Sequence, residues 1–236
     1  MNMGKVLVAG AAAFFATATA SASIITVDAG DIGNVYSVNY DGFADGNIID
    51  GLTGEASFKL TAFDGTSVTF DYAVTNTSGT PIDTSRISIF GFNTDPNISG
   101  ATVSGDFTRT AYNSNVPSGF GSVDVCFKGS GGPNCSGGGG TGVTIGETAT
   151  GSLTLSFSSA IDQLTLSDFF VRYQSITGGN APGSAIGRGT TSSTSTSTST
   201  STGGTPVPAP AAPLLFAIGL GFIGWRYGWK ARPARA

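Results

Sequence analysis

The chain has no histidine. That absence removes every Ser-His-Asp or Cys-His catalytic arrangement and every histidine-ligated zinc site. Cysteine is nearly absent as well, with two in 236 residues, and glutamate is confined to Glu55 and Glu147. Charged residues make up only 11% of the chain, and they are unevenly placed. All fifteen carboxylates lie between Asp28 and Asp168. From Asp28 to Arg172 only five cations (Lys59, Arg86, Arg109, Lys128 and Arg172) oppose them, a net charge of −10. A surface of that sign repels nucleic acid and anionic lipid, which argues against a nucleic-acid partner.

The motifs that could carry chemistry are incomplete. Asp83-Thr84-Ser85, after Ile82, matches one half of an aspartic-protease site, but such sites need two aspartates sharing a proton and there is no second copy. A turn after Pro81, with Asp83 bonded to its own backbone, accounts for the same residues. Gly137–Gly142 (GGGGTG) lacks the Gly-Lys-Ser/Thr ending of a phosphate loop and is expected to be a flexible loop beside the cysteines. No glycosidase carboxylate pair stands out from spacing. No nucleophile has an identifiable base, so the sequence reads as that of a non-enzyme with no cofactor.

What is present begins at the two ends. Lys5 supplies a positive start, Val6–Ala20 is uncharged and largely apolar, and Ala20-Ser21-Ala22 offers small residues for cleavage before Ser23. The apolar run is about 15 residues, short of the ~20 of a spanning helix, so residues 1–22 read as a signal peptide. At the other end, Ala211–Trp225 is uncharged, and Arg226, Lys230, Arg232 and Arg235 follow without a carboxylate. A helix of about 15 to 19 residues, over about 211–229, would span roughly 22 to 28 Å. Snorkelling by Arg226 makes up the difference from a ~30 Å hydrocarbon core. Trp225, Tyr227 and Trp229 suit the interface, and the basic residues act as a cytoplasmic stop-transfer signal.

Export agrees with the cysteines. Cys126 and Cys135 are separated only by FKGSGGPN. In an oxidising compartment such a pair forms a disulfide. The closed loop of about ten residues contributes about 2.5 to 3 kcal/mol in chain-entropy terms, less any strain. Metal ligation is the rival use, and it finds only these two thiols and no histidine.

Residues 23–183 are expected to form one all-β domain, an antiparallel β-sandwich. Apolar residues alternate with mostly polar ones in Val68–Val74, at Ala56, Phe58, Leu60 and Ala62, and at Leu153, Leu155 and Phe157. Further strand-like runs cover Val35–Tyr40, Arg86–Phe92, Ala101–Arg109, Gly121–Lys128 and Leu164–Ile176. Asp64-Gly65, Asn76–Pro81 and Asp95-Pro96-Asn97 supply turns between them. Short strands at this spacing, with no helical period over three turns, predict a sandwich with one polar outer face. The predicted core is Phe58, Phe70, Tyr72, Val74, Phe90, Phe107, Leu153, Leu155 and Val171.

Residues 184–207 are read as a linker, because Thr190–Thr202 is pure Ser/Thr and has nothing to bury. It serves either as a flexible spacer or as an O-glycosylated stalk. Asn76-Thr77-Ser78, Asn97-Ile98-Ser99 and Asn134-Cys135-Ser136 also match the glycosylation triplet. One cluster suggests a metal: Asp41, Asp45, Asn47 and Asp50 fall within DGFADGNIID, with Asp28 and Asp31 upstream. Calcium takes six to eight oxygens, and carboxylates on glycine-permitted turns can supply them. The spacing is not that of an EF-hand, and solvated turns explain the same residues.

The tail as a whole resembles a PEP-CTERM sorting domain. Residues 208–236 carry its three parts in order: the motif Pro208-Ala209-Pro210, the apolar span and the basic residues. Ala209 stands where the usual motif has glutamate, and the basic residues are spread out. The resemblance implies partners: the Sec machinery and signal peptidase, then exosortase, a transpeptidase of Gram-negative bacteria that also make exopolysaccharide. It implies a transient stage in the inner membrane, cleavage near the proline motif, and delivery to the cell surface or extracellular matrix. The paired Cys126 and Cys135, with Phe169–Gln174 (FFVRYQ), are similar to the cistern family of PEP-CTERM proteins, which implies a lineage without an activity. Two functions follow from different classes. One is a structural surface or biofilm-matrix component, associated with exopolysaccharide. The other is a carbohydrate- or protein-binding module held permanently by the C-terminal helix.

Overall fold

The computed structural model describes residues 23–117, 119–137 and 139–192. The segment expected to be a signal peptide (1–22), Pro208-Ala209-Pro210, the apolar span, Arg226, Lys230, Arg232 and Arg235 lie outside the described residues, as does the Ser/Thr tract from 193 onward.

Turn chemistry and period-two alternation convert into twelve strands. They are β1 (Ile25–Val27), β2 (Val35–Ala44), β3 (Asn47–Phe63), β4 (Ser67–Thr75), β5 (Ile82–Asp95) and β6 (Gly100–Gly105). Then come β7 (Arg109–Val116), β8 (Gly121–Lys128), β9 (Val143–Thr144), β10 (Thr148–Ser156), β11 (Leu164–Gly178) and β12 (Ser184–Ser192). A single 3₁₀ turn at Ala29–Asp31 is closed by Asp28 and Asp31 in a capping box.

All pairings are antiparallel, and one path of neighbours runs β6-β10-β4-β3-β2-β12-β11-β5-β8-β7. The ladder is continuous, so the two facing layers are halves of one nearly closed sheet. Phe58 of β3 and Tyr72 of β4 show the facing. Phe58 meets Phe92 of β5 and Phe169 of β11, at 6.0 and 5.9 Å between ring centroids, although several strands separate them along the ladder. Tyr72 meets Phe90 of β5 at 5.2 Å. All nine residues of the predicted core are buried in this interior. The opposite side of β4 and β10 carries the expected polar face, in which Thr69 bonds Thr154 and Thr75 bonds Thr148 across the strands.

The sheet fails to close only between β6 and β7. There the Tyr112 hydroxyl of β7 donates to the Ala101 carbonyl of β6 at 2.5 Å and accepts from its N–H at 2.9 Å. One side chain thus satisfies both edge groups that a ladder partner would otherwise satisfy.

Two boundaries differ from the sequence reading. Ser184–Ser192 belongs to the sheet as β12, between β11 and β2, instead of opening the linker. Asp83 lies on β5, so the turn ends at Pro81. The neighbouring Thr84 hydroxyl donates to the Ser175 carbonyl across the ladder at 2.8 Å.

Candidate functional site

The proposed calcium ligands are dispersed along a hairpin. Asp45 and Gly46 form the two-residue turn between β2 and β3, with φ of +48° and +85°, and Ala44 pairs with Asn47. Both φ values are those of a type I′ turn, for which Asp-Gly is a preferred sequence. The Asn47 amide donates to the Asp45 carbonyl at 3.1 Å. Asp41 sits opposite Thr53, Asp50 lies in the bulge that follows, and all four side chains are exposed. Asp28 and Asp31 are occupied by their own capping turn. Among the described residues no group of three carboxylates or cysteines is placed to hold a metal. Asp45 serves the hairpin turn and Asn47 braces it, while Asp41 lies on β2 and Asp50 in the bulge of β3.

Cys126 and Cys135 are joined, and both are fully buried. They form part of a second apolar cluster with Ile89, Ala111, Phe170 and Ile186. Strand alternation puts this cluster on the outer face, since Phe170 is flanked by the interior residues Phe169 and Val171.

The glycine-rich segment after β8 is pinned, contrary to the flexible loop expected from its composition. Lys128 lies two residues from Cys126 on the same face, is 1% exposed, and donates to the carbonyls of Gly132 and Asn134. Arg86 donates to the carbonyls of Gly140 and Gly139 at 2.9 and 2.8 Å. The Cys135 N–H donates to the Ser114 hydroxyl at 2.8 Å. Backbone carbonyls thus solvate these two cations. Burial, with Arg109 opposite in the ladder, lowers the Lys128 ammonium below its usual range.

Two of the open clefts are lined by described residues alone. One, of about 480 Å³, is lined by Asp106, Phe107, Thr141, Gly142, Val143, Glu147, Thr148 and Ala149. Its carboxylates are engaged structurally: Asp106 accepts from the Thr150 N–H at 2.7 Å, and Glu147 from the Thr144 hydroxyl at 2.8 Å. The other, of about 320 Å³, lies at the open seam. It is lined by Asn97, Ile98 and Ser99 from the β5–β6 turn, Gly100 from β6, Tyr112 and Asn113 from β7, and Asp124 from β8. Tyr112 is 42% exposed, and Asn113 holds a left-handed backbone at φ +43° within a strand. The sequence does not reveal this site because β7 lacks apolar alternation and only the β5–β8 pairing brings Asp124 to the end of β5 that Asn97 follows.

No protein-family model matches the sequence, and no curated protein or solved structure is similar to it.

Proposed function

We propose that this chain is an exported structural protein of the cell surface or extracellular matrix, processed by an exosortase and associated with exopolysaccharide. The observation that carries the reading is the pair of opposed membrane signals: a cleavable leader at 1–22 and a tail of motif, apolar span and cations at 208–236. The buried disulfide supports it, since such bonds persist in oxidising compartments. Within this reading, the two facing halves of the sheet act as the layers of a β-sandwich. The domain offers no broad aromatic platform, because Tyr112 is the only aromatic among the exposed large apolar side chains of the described residues. That favours a structural role.

The test is fractionation of cells with and without an exosortase. Export to the medium or surface in the first strain, with retention in the inner membrane in the second, is the expected result. Identical distribution in both strains would leave a permanently anchored binding module, the second reading. The seam cleft is the feature that favours that second reading.

A further inference from the structure

We infer that the cleft at the β6–β7 seam is a binding site for a neutral polysaccharide chain, an inference that deepens the binding reading and does not depend on how the tail is processed. Four observations converge. First, the Tyr112 ring is exposed, yet its hydroxyl is held by both backbone groups of Ala101 at 2.5 and 2.9 Å, so the ring is fixed before any ligand arrives. A fixed aromatic face suits the apolar C–H face of a sugar ring and loses little entropy on binding.

Second, the amides of Asn97 and Asn113 and the hydroxyl of Ser99 are exposed and make no side-chain hydrogen bond within the described protein. Planar amides offer both donors and an acceptor, the pattern that adjacent sugar hydroxyls require. Third, Asp124 is oriented by its Oδ2, which accepts from the Thr94 N–H at 2.8 Å, while its own N–H donates to Asn93 at 2.9 Å. Its second oxygen is left to accept from a ligand hydroxyl. Fourth, Asp124 is the only charged residue lining the cleft. A carboxylate there, in a domain with a large excess of acids, disfavours uronate, sulfate or phosphate groups. The left-handed Asn113 fits the same picture, since non-glycine residues adopt that conformation rarely and often at functional positions.

The test uses the full chain in a zwitterionic, sugar-free detergent. Binding is read by affinity electrophoresis and calorimetry against dextran, galactan, mannan and xylan, with alginate and polygalacturonate as the anionic arm. Retardation by at least one neutral polymer and by neither anionic one is expected. Asn113→Gly removes the amide while keeping a residue suited to positive φ. It should weaken binding about tenfold with an unchanged melting temperature, the loss expected for a well-formed hydrogen-bond pair. Tyr112→Ala should abolish binding, and Asn113→Gly decides the matter if opening the seam unfolds that variant. Absence of retardation by every neutral polymer, retardation by the anionic ones, or full affinity in Asn113→Gly would each overturn the inference. Cell fractionation has no bearing on any of these readouts, so the sorting reading and the glycan reading fail separately.

Discussion

Phe90 has the richest set of aromatic neighbours in the interior: Phe58, Tyr72, Phe107 and Phe127 lie 5.0 to 6.1 Å away, centroid to centroid. Phe90→Ala removes a fully buried ring and leaves a cavity, so we expect a loss of about 3–5 kcal/mol in urea denaturation. Tyr40 and Tyr173 are a different case. Both are buried, and neither hydroxyl has a hydrogen-bond partner among the described residues. Replacing either with phenylalanine removes an unsatisfied polar group and should leave stability within about 1 kcal/mol of the parent. The same hydroxyls contribute to the alkaline behaviour. Burial raises both phenol pKa values, so the folded chain keeps protons that the unfolded chain releases near its ordinary value of about 10. Their contribution is complete below that pH and is lost as pH rises past it. Lys128 acts in the opposite sense just below its ordinary value, because its lowered pKa makes the folded state shed a proton first. The urea midpoint should therefore fall between pH 9 and pH 11, and fall less in the Tyr40→Phe/Tyr173→Phe double variant. An equal fall in both proteins would remove the two phenols from the account. Asn76 adds a polar anchor, its amide donating to the Ser85 carbonyl and hydroxyl and to the Val143 carbonyl at 3.0 to 3.2 Å.

Among the elements, β12 is the one whose removal tests the fold. It lies between β11 and β2 and pairs with both. A chain ended after Gly183 lacks it, and we expect no cooperative thermal transition, whereas a chain ended after Ser192 should melt as a single unit. Its sequence, SAIGRGTTS, hides its role for a physical reason. The positions that approach the interior include Gly187 and Gly189, and a Cβ there would lie 2.5 Å from side-chain atoms of Val171 and Phe169 respectively. Neighbouring strands supply the bulk, so no apolar alternation is left to read. By contrast, β4, β8 and β10 carry their own inward side chains and were legible from Val68–Val74, from Gly121–Lys128 and from Leu153, Leu155 and Phe157. The disulfide was also legible, from two lone cysteines at short range. The pinning of its loop was not, because it depends on Lys128 and Arg86 reaching backbone carbonyls that any sequence would offer. Cys126→Ser/Cys135→Ser should cost about 2.5 to 3 kcal/mol, the chain-entropy value for so short a loop. It should also open residues 129–142 to limited proteolysis. The seam cleft was illegible as well, since its lining residues come from three separate segments.

At the scale of the whole molecule, the proposed sorting route sets a nearly closed β-domain between two membrane signals of opposite consequence in the sequence. On this proposal the leader would send Ser23 onward across the membrane, and the apolar span would halt transfer, because each cation behind it costs about 2.5 to 3.5 kcal/mol to insert. The proposal puts the Pro208-Ala209-Pro210 motif at the outer boundary of that bilayer, as the site of cleavage. Cleavage there would spare the sheet, since β12 ends at Ser192. The most direct measurement of this account is intact mass and terminal peptide analysis of protein released from an exosortase-positive Gram-negative host. The account predicts a chain beginning at Ser23, ending close to Pro208 and lacking Arg226, Lys230, Arg232 and Arg235. Recovery of full-length protein alone, still in the inner membrane and carrying its basic tail, would contradict it.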